Sequence, residues 1–145
     1  LRYDWAYRLK QERPVLPVVI NGGLASVDAV QAQQGRVDGV MLGRAAYHDP
    51  YLLHQLDALQ TGTPLRPRAE LLRALRPYVE QQLDAGMALK HISRHVLGLF
   101  HAEPGGRAFR QVLSEGAHRP GAGWALVEQA LAVTARDVAP SAACS

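Results

Sequence analysis

The chain predicts an α/β piece followed by an all-α piece, and three observations carry that reading. Two short apolar runs, Val15–Ile20 and Asp38–Leu42, each close on glycine, the first as Asn21-Gly22-Gly23 and the second as Gly43. A helical segment opening at Ser26 separates them, and strand, Gly loop, helix, strand, Gly loop, helix is the order of a parallel β/α arrangement. Beyond residue 67, apolar residues recur only at helical spacing.

Each element follows from its residues. Tyr3, Trp5, Ala6, Leu9 and Lys10 form a partial helical stripe that Pro14 stops. Val15–Ile20 is continuous, β-branched and closed by glycine, which predicts a buried strand. Ser26 is a good N-cap with Asp28 in the first turn, and that helix ends near Gly35. Asp38–Leu42 predicts the second buried strand, and Arg44–Tyr47 a short helix after it.

The pattern changes after Pro50, and Thr61-Gly62-Thr63-Pro64-Leu65-Arg66-Pro67 is a turn-rich connector. Leu71, Leu72, Leu75, Tyr78, Val79 and Leu83 then mark a helix that Pro77 kinks or divides. Ile92, Val96, Leu97, Leu99 and Phe100 mark a second helix, ended by Glu103-Pro104-Gly105-Gly106. Phe109, Val112 and Leu113 mark a third, and Trp124, Leu126, Val127, Ala130, Leu131 and Val133 a fourth.

Composition bounds the function classes. Of 145 residues, 48% are hydrophobic and 20% charged, which excludes a disordered or collagen-like chain. No apolar run approaches the roughly 18 residues of a membrane span. The opening Leu1-Arg2-Tyr3-Asp4-Trp5 has neither a basic n-region nor an apolar h-region, so no signal peptide is expected. A soluble, cytoplasmic chain is expected. The single cysteine, Cys144, excludes a disulfide framework, and no cation beside it activates the thiol. The net charge of +3 is mild, but between Gly86 and Pro120 five basic residues face two acidic ones, with four of the six histidines. Such a stretch suits a polyanion; a solvated surface of mixed charge is the other reading.

The Gly loops are the first candidate site. Glycine lets backbone N–H groups converge, a following helix adds positive potential, and Arg44 offers a bidentate phosphate contact. Two consecutive strands ending this way, with a short helix after the second, match the phosphate site built after the last two strands of a (β/α)₈ barrel. G-x-G-x-x-G and G-x-x-x-x-G-K-[ST] are both absent, which disfavours Rossmann and P-loop readings. The alternative, that these glycines only turn the chain, stays open on spacing alone.

Taken together, LRYDWAYRLK, VVINGGLAS, VDGVMLGRAAYHDP and HISRHVLGLFHAEPGGRAFRQVLSEGAH resemble the C-terminal part of A-type tRNA-dihydrouridine synthases, over roughly residues 1–134. The NGG and GR pieces are common to many FMN barrels, whereas the helical stretch ending in LSEGAH is far more specific. The resemblance implies the last two βα units of an FMN-binding TIM barrel followed by a C-terminal helical bundle that grips tRNA. Residues 1–60 are then barrel, 61–67 connector, 68–138 the helical tRNA-binding domain and 139–145 a disordered tail. It further implies reduction of the C5–C6 double bond of a D-loop uridine, with NADPH re-reducing the flavin, in a monomeric enzyme.

By the same resemblance Asn21, Gly22, Gly23, Gly43 and Arg44 match the family's FMN-phosphate positions. Arg107 and Arg110 match arginines on the tRNA-facing surface, with Lys90 and Arg94 as neighbours. The family's protonating cysteine belongs to N-terminal barrel strands that these residues do not contain, and two strands cannot close a barrel of eight. A fragment without a catalytic residue of its own is therefore expected, inactive alone. Two other readings remain: a noncatalytic RNA- or partner-binding helical module, and an unrelated phosphate-binding barrel enzyme.

The remaining polar residues carry blander expectations. His91 and His95 stand four apart on a helix, but the glutamate of H-E-x-x-H is missing and no third ligand suggests itself, so no metal is expected. His48 and His54 read as surface or packing residues. Asp4 and Trp5 read as capping and packing residues, and Arg66 and Arg68 as solvated. Arg107 and Arg110 share one helix face, with Phe109, Val112 and Leu113 on the other. Pairing of these arginines with Glu103 and Glu115 is the alternative to an outward, phosphate-facing role.

Overall fold

The computed structural model describes residues 1–136, which are mostly helical with one small parallel sheet. The chain divides into two compact units, Leu1–Thr63 and a second beginning at Pro64.

The first unit runs α1 (Tyr3–Glu12), β1 (Val19–Asn21), α2 (Val27–Gln31), β2 (Gly39–Met41), α3 (Arg44–His48) and α4 (Tyr51–Thr61). β1 and β2 pair in parallel, Val19 opposite Gly39, Ile20 opposite Val40 and Asn21 opposite Met41. Because side chains alternate along a strand, Val18 and Ile20 share one face and are buried, whereas Val19 and Met41 share the other and are exposed. Leu24, Leu52 and Ala58 complete the buried apolar set on this side of the chain. Ser26 caps α2 as expected, its hydroxyl accepting from the Ala29 N–H at 3.2 Å.

β1 is shorter than the sequence suggests. Val15 is 95% exposed and the ladder begins only at Val19. Pro14 and Pro17 carry no N–H for a ladder, and the Pro14 and Leu16 carbonyls go instead to Lys10 Nζ, at 2.7 and 3.1 Å. The second strand likewise spans only Gly39–Met41. Helix α4 was not foreseen at all. Trp5 and Asp4 also depart from expectation: Trp5 is 67% exposed beneath the Arg2 guanidinium, and Asp4 pairs with Arg2 at 2.9 Å rather than capping α1.

The second unit contains α5 (Arg68–Ala74), α6 (Arg76–Asp84), α7 (Leu89–Ser93), α8 (Gly106–Gly116) and α9 (Trp124–Arg136). Pro77 divides the first pair as expected. It lies in the first turn of α6, where a missing N–H costs no intrahelical bond. Leu75 and Tyr78, expected on the apolar stripe, are exposed, while Leu72 and Val79 are buried.

The core of this unit is the α8–α9 pair. Phe109 and Leu113 from α8 meet Val127, Ala130 and Leu131 from α9 in the buried set, and the Phe100 and Phe109 rings lie 4.6 Å apart. Small residues permit the close approach. A Cβ on Gly106 would overlap the Phe100 carbonyl oxygen, and one on Gly116 would sit 2.7 Å from Leu126 Cδ1.

The helix expected over Ile92–Phe100 stops at Ser93. Tight i to i+3 bonds replace it, including His95 N–H to Ile92 O and Leu99 N–H to Val96 O. His95 therefore lies past the end of α7, and the two histidines do not share a helix; Arg94 Nε donates to His95 Nε2 at 3.1 Å. Arg68 is not solvated either. It is largely buried, donating to the Leu99 carbonyl at 2.6 Å and pairing with Glu103 at 2.9 Å. Arg66 is exposed beside Glu70. The expected tail, with Cys144, lies outside the described residues.

Candidate functional site

Both Gly loops sit at one end of the sheet. β1 ends at Asn21 and β2 at its partner Met41, so in a parallel pair Asn21-Gly22-Gly23 and Gly43-Arg44 leave from the same edge. Gly22 and Gly23 have φ of +96° and +71°, a conformation that excludes most side chains. Asn21, Gly23, Gly43 and Arg44 are exposed. Gly43 precedes α3 without any side chain to cap it, and Arg44 has no acidic partner among the described residues.

The back of the first loop is held by α1. The Tyr3 hydroxyl donates to the Gly22 carbonyl. One turn later Tyr7 donates to Gln33 Oε1 at 2.5 Å, and Gln33, itself buried, donates to Ala29 O at 3.1 Å. Two tyrosines four residues apart thus grip the segment before α2 and the segment after it. Sequence reasoning placed Tyr3 only on an apolar stripe; the Tyr3–Tyr7 spacing was its one available signal.

An ion pair fixes the start of β2. Asp38 Oδ2 accepts from Lys10 Nζ at 2.8 Å and from the Val18 N–H at 2.7 Å. The lysine first, and then the backbone N–H, hold the Asp38 carboxyl below the usual carboxylate range. In the second unit Arg73, and after it the Trp124 indole, lowers the Glu128 carboxyl in the same way.

The exposed loop edge has the properties of an anion cup: glycine backbone at two neighbouring strand ends and a guanidinium without a counter-ion among the described residues. A flavin's phosphate fits such a donor set. Among the described residues no group of three His, Cys, Asp or Glu converges as a metal site, and no helix is long and apolar enough to cross a membrane.

The second candidate surface is on α8. Arg107 and Arg110 are exposed, while Phe109 and Leu113 are buried. The acidic residues weighed as their partners are engaged elsewhere, Glu103 by Arg68 and Glu115 by Gln111 at 2.9 Å. Lys90 is exposed on α7, which packs on α8, and Arg94 is exposed just beyond it.

The family model for dihydrouridine synthase (Dus) matches residues 1–136. The chain belongs to the dihydrouridine synthase family. Among its relatives, the tRNA-dihydrouridine(20/20a) synthase of Xanthomonas campestris pv. campestris is 74% identical over 130 residues, 90% of this chain and 39% of the relative. The protein of the same name from Xylella fastidiosa is 63% identical over 133 residues, covering 92% and 39%. That of Vibrio cholerae is 44% identical over 134 residues, covering 91% and 41%. This dihydrouridine synthase chain therefore spans about two fifths of the length of the curated relatives it matches.

Proposed function

We propose that this chain is the flavin-phosphate and tRNA-gripping portion of a tRNA-dihydrouridine synthase. In this reading residues 1–60 are the last two βα units of an FMN-binding TIM barrel, and residues 68–138 form the helical tRNA-binding domain. Asn21, Gly22, Gly23, Gly43 and Arg44 hold the FMN phosphate. Arg107 and Arg110, with Lys90 and Arg94, meet tRNA phosphates. Held there, FMN would supply hydride chemistry for reduction of the C5–C6 bond of a D-loop uridine, with NADPH as its reductant. The enzyme works on tRNA in the cytoplasm as a monomer.

The family match over residues 1–136 is the observation that carries this reading. The shared edge of Asn21 and Gly43 and the outward arginines of α8, without an acidic partner among the described residues, support the assignment of roles. The cysteine that the resemblance assigns to uracil protonation belongs to N-terminal barrel strands, and in this reading the portion is inactive by itself. The test is complementation. A full-length gene product containing this chain should restore dihydrouridine, read by mass spectrometry, to tRNA from a strain lacking its synthases. A protein that binds tRNA but restores none would instead support the noncatalytic module.

A further inference from the structure

We propose that Tyr3 is a positioning residue that aims the backbone of the Asn21-Gly22-Gly23 loop at the flavin phosphate. The inference rests on the phosphate-cup reading above. Tyr3 opens α1, and its hydroxyl reaches 19 positions along the chain to the Gly22 carbonyl. All peptide bonds in the described residues are trans. In a trans peptide the C=O of one residue and the N–H of the next point in opposite directions. Holding the Gly22 carbonyl on Tyr3 therefore turns the Gly23 N–H to the far side of the loop.

That N–H makes no hydrogen bond among the described residues. The near side of the loop is closed. A Cβ on Gly23 would lie 2.5 Å from Leu1 Cδ1 and 2.9 Å from the Tyr3 oxygen. A ligand thus approaches from the face to which the Gly23 N–H points. Without the hydroxyl, two glycines at positive φ are free to flip their shared peptide, and the donor is lost from the cup at the cost of a rotation that glycine tolerates. Tyr7, its ring 6.3 Å from that of Tyr3, makes a separate tie from the same helix to Gln33.

The experiment compares FMN with riboflavin, which lacks the phosphate, on the full-length apoprotein by fluorescence titration. Tyr3→Phe keeps the ring and removes the hydroxyl. It should weaken FMN by about three- to tenfold, the scale of one hydrogen bond, and leave riboflavin affinity unchanged. Tyr7→Phe, which loosens the far end of α1, should lower the melting temperature without changing the FMN-to-riboflavin ratio. Arg44→Ala is the control for the cup and should reduce that ratio more strongly. If Arg44→Ala reduces the ratio while Tyr3→Phe leaves it unchanged, or weakens both flavins equally, the inference is overturned and the cup stands. If Arg44→Ala also leaves the ratio unchanged, the cup itself is overturned, and the inference with it.

Discussion

Lys10 Nζ lies 2.8 Å from Asp38 Oδ2, the same oxygen that accepts the Val18 N–H. One carboxylate therefore ties the C-terminal end of α1 to the residue preceding β1 and to the start of β2. Its pKa is depressed by Lys10 first and by the Val18 N–H second. A depressed carboxylate contributes stability that is fully present above the ordinary carboxylate pKa and is lost as pH falls through the folded value. Lys10→Met should therefore lower the denaturation midpoint at neutral pH. The pH-dependent part of the gap from wild type should close as Asp38 protonates. A gap that is constant from neutral pH to well below the carboxylate range would show that Asp38 titrates without Lys10.

In the second unit the expected weak point is Phe109, which is wholly buried with its ring tilted against that of Phe100. Phe109→Ala should cost about 3–5 kcal/mol, through lost transfer energy and the cavity left behind. Gly106→Ala should also destabilise, because its Cβ would overlap a backbone carbonyl rather than a movable side chain. Urea melts of the full-length protein would check both. A loss under about 1 kcal/mol for Phe109→Ala would mean that the α8–α9 seam collapses to fill the space.

Local chemistry explains what was legible in the sequence. Ser26 as N-cap, Pro77 as a helix divider and the positive-φ glycines after β1 act through their immediate neighbours, and the structure shows each at work. Val15–Pro17 misled because an apolar, β-branched run looks the same whether or not its backbone finds a ladder. Lys10, from an earlier helix, decides that question by taking the carbonyls. Helix α4 had a visible signal, Leu52, Leu56 and Leu59 at helical spacing, obscured by the turn residues on either side. The support of the site was not legible. The Tyr3–Gly22 and Tyr7–Gln33 bonds and the burial of Arg68 are tertiary, and beyond the Tyr3–Tyr7 spacing nothing local distinguishes Tyr3, Tyr7 and Arg68 from others on their helices.

The exposed sheet face bears on cofactor retention. Val19 is 62% and Met41 45% exposed on the face opposite Ile20, beside the same edge as the Gly loops. A flavin site buries most of its ligand, and the phosphate cup proposed here, beside an open sheet face, would not. The 145-residue chain expressed alone should therefore carry no stoichiometric flavin and should self-associate through this face. Absorbance near the flavin maximum and light scattering would check both. A monomeric, yellow preparation would show that these two strands hold more of the cofactor than a phosphate.

The outward arginines of α8 give the sharpest test of the RNA reading. Arg107 and Arg110 lie three residues apart with Phe109 buried between them, so packing fixes which way they face. Glu103 and Glu115, the nearby carboxylates, are engaged by Arg68 and Gln111, and neither arginine makes an ion pair among the described residues. A basic face of this kind binds a polyanion by releasing counterions, so its contribution appears in the salt dependence of affinity rather than in stability. In the full-length enzyme Arg107→Ala and Arg110→Ala should each weaken tRNA binding and reduce the slope of log K against log salt by roughly one. The melting temperature should hold, since neither side chain packs, and flavin content should hold, since the Gly loops lie in the other unit. Filter-binding titrations at several salt concentrations would separate the outcomes. An unaltered slope in the double variant would remove α8 from the RNA face and move attention to Lys90 and Arg94.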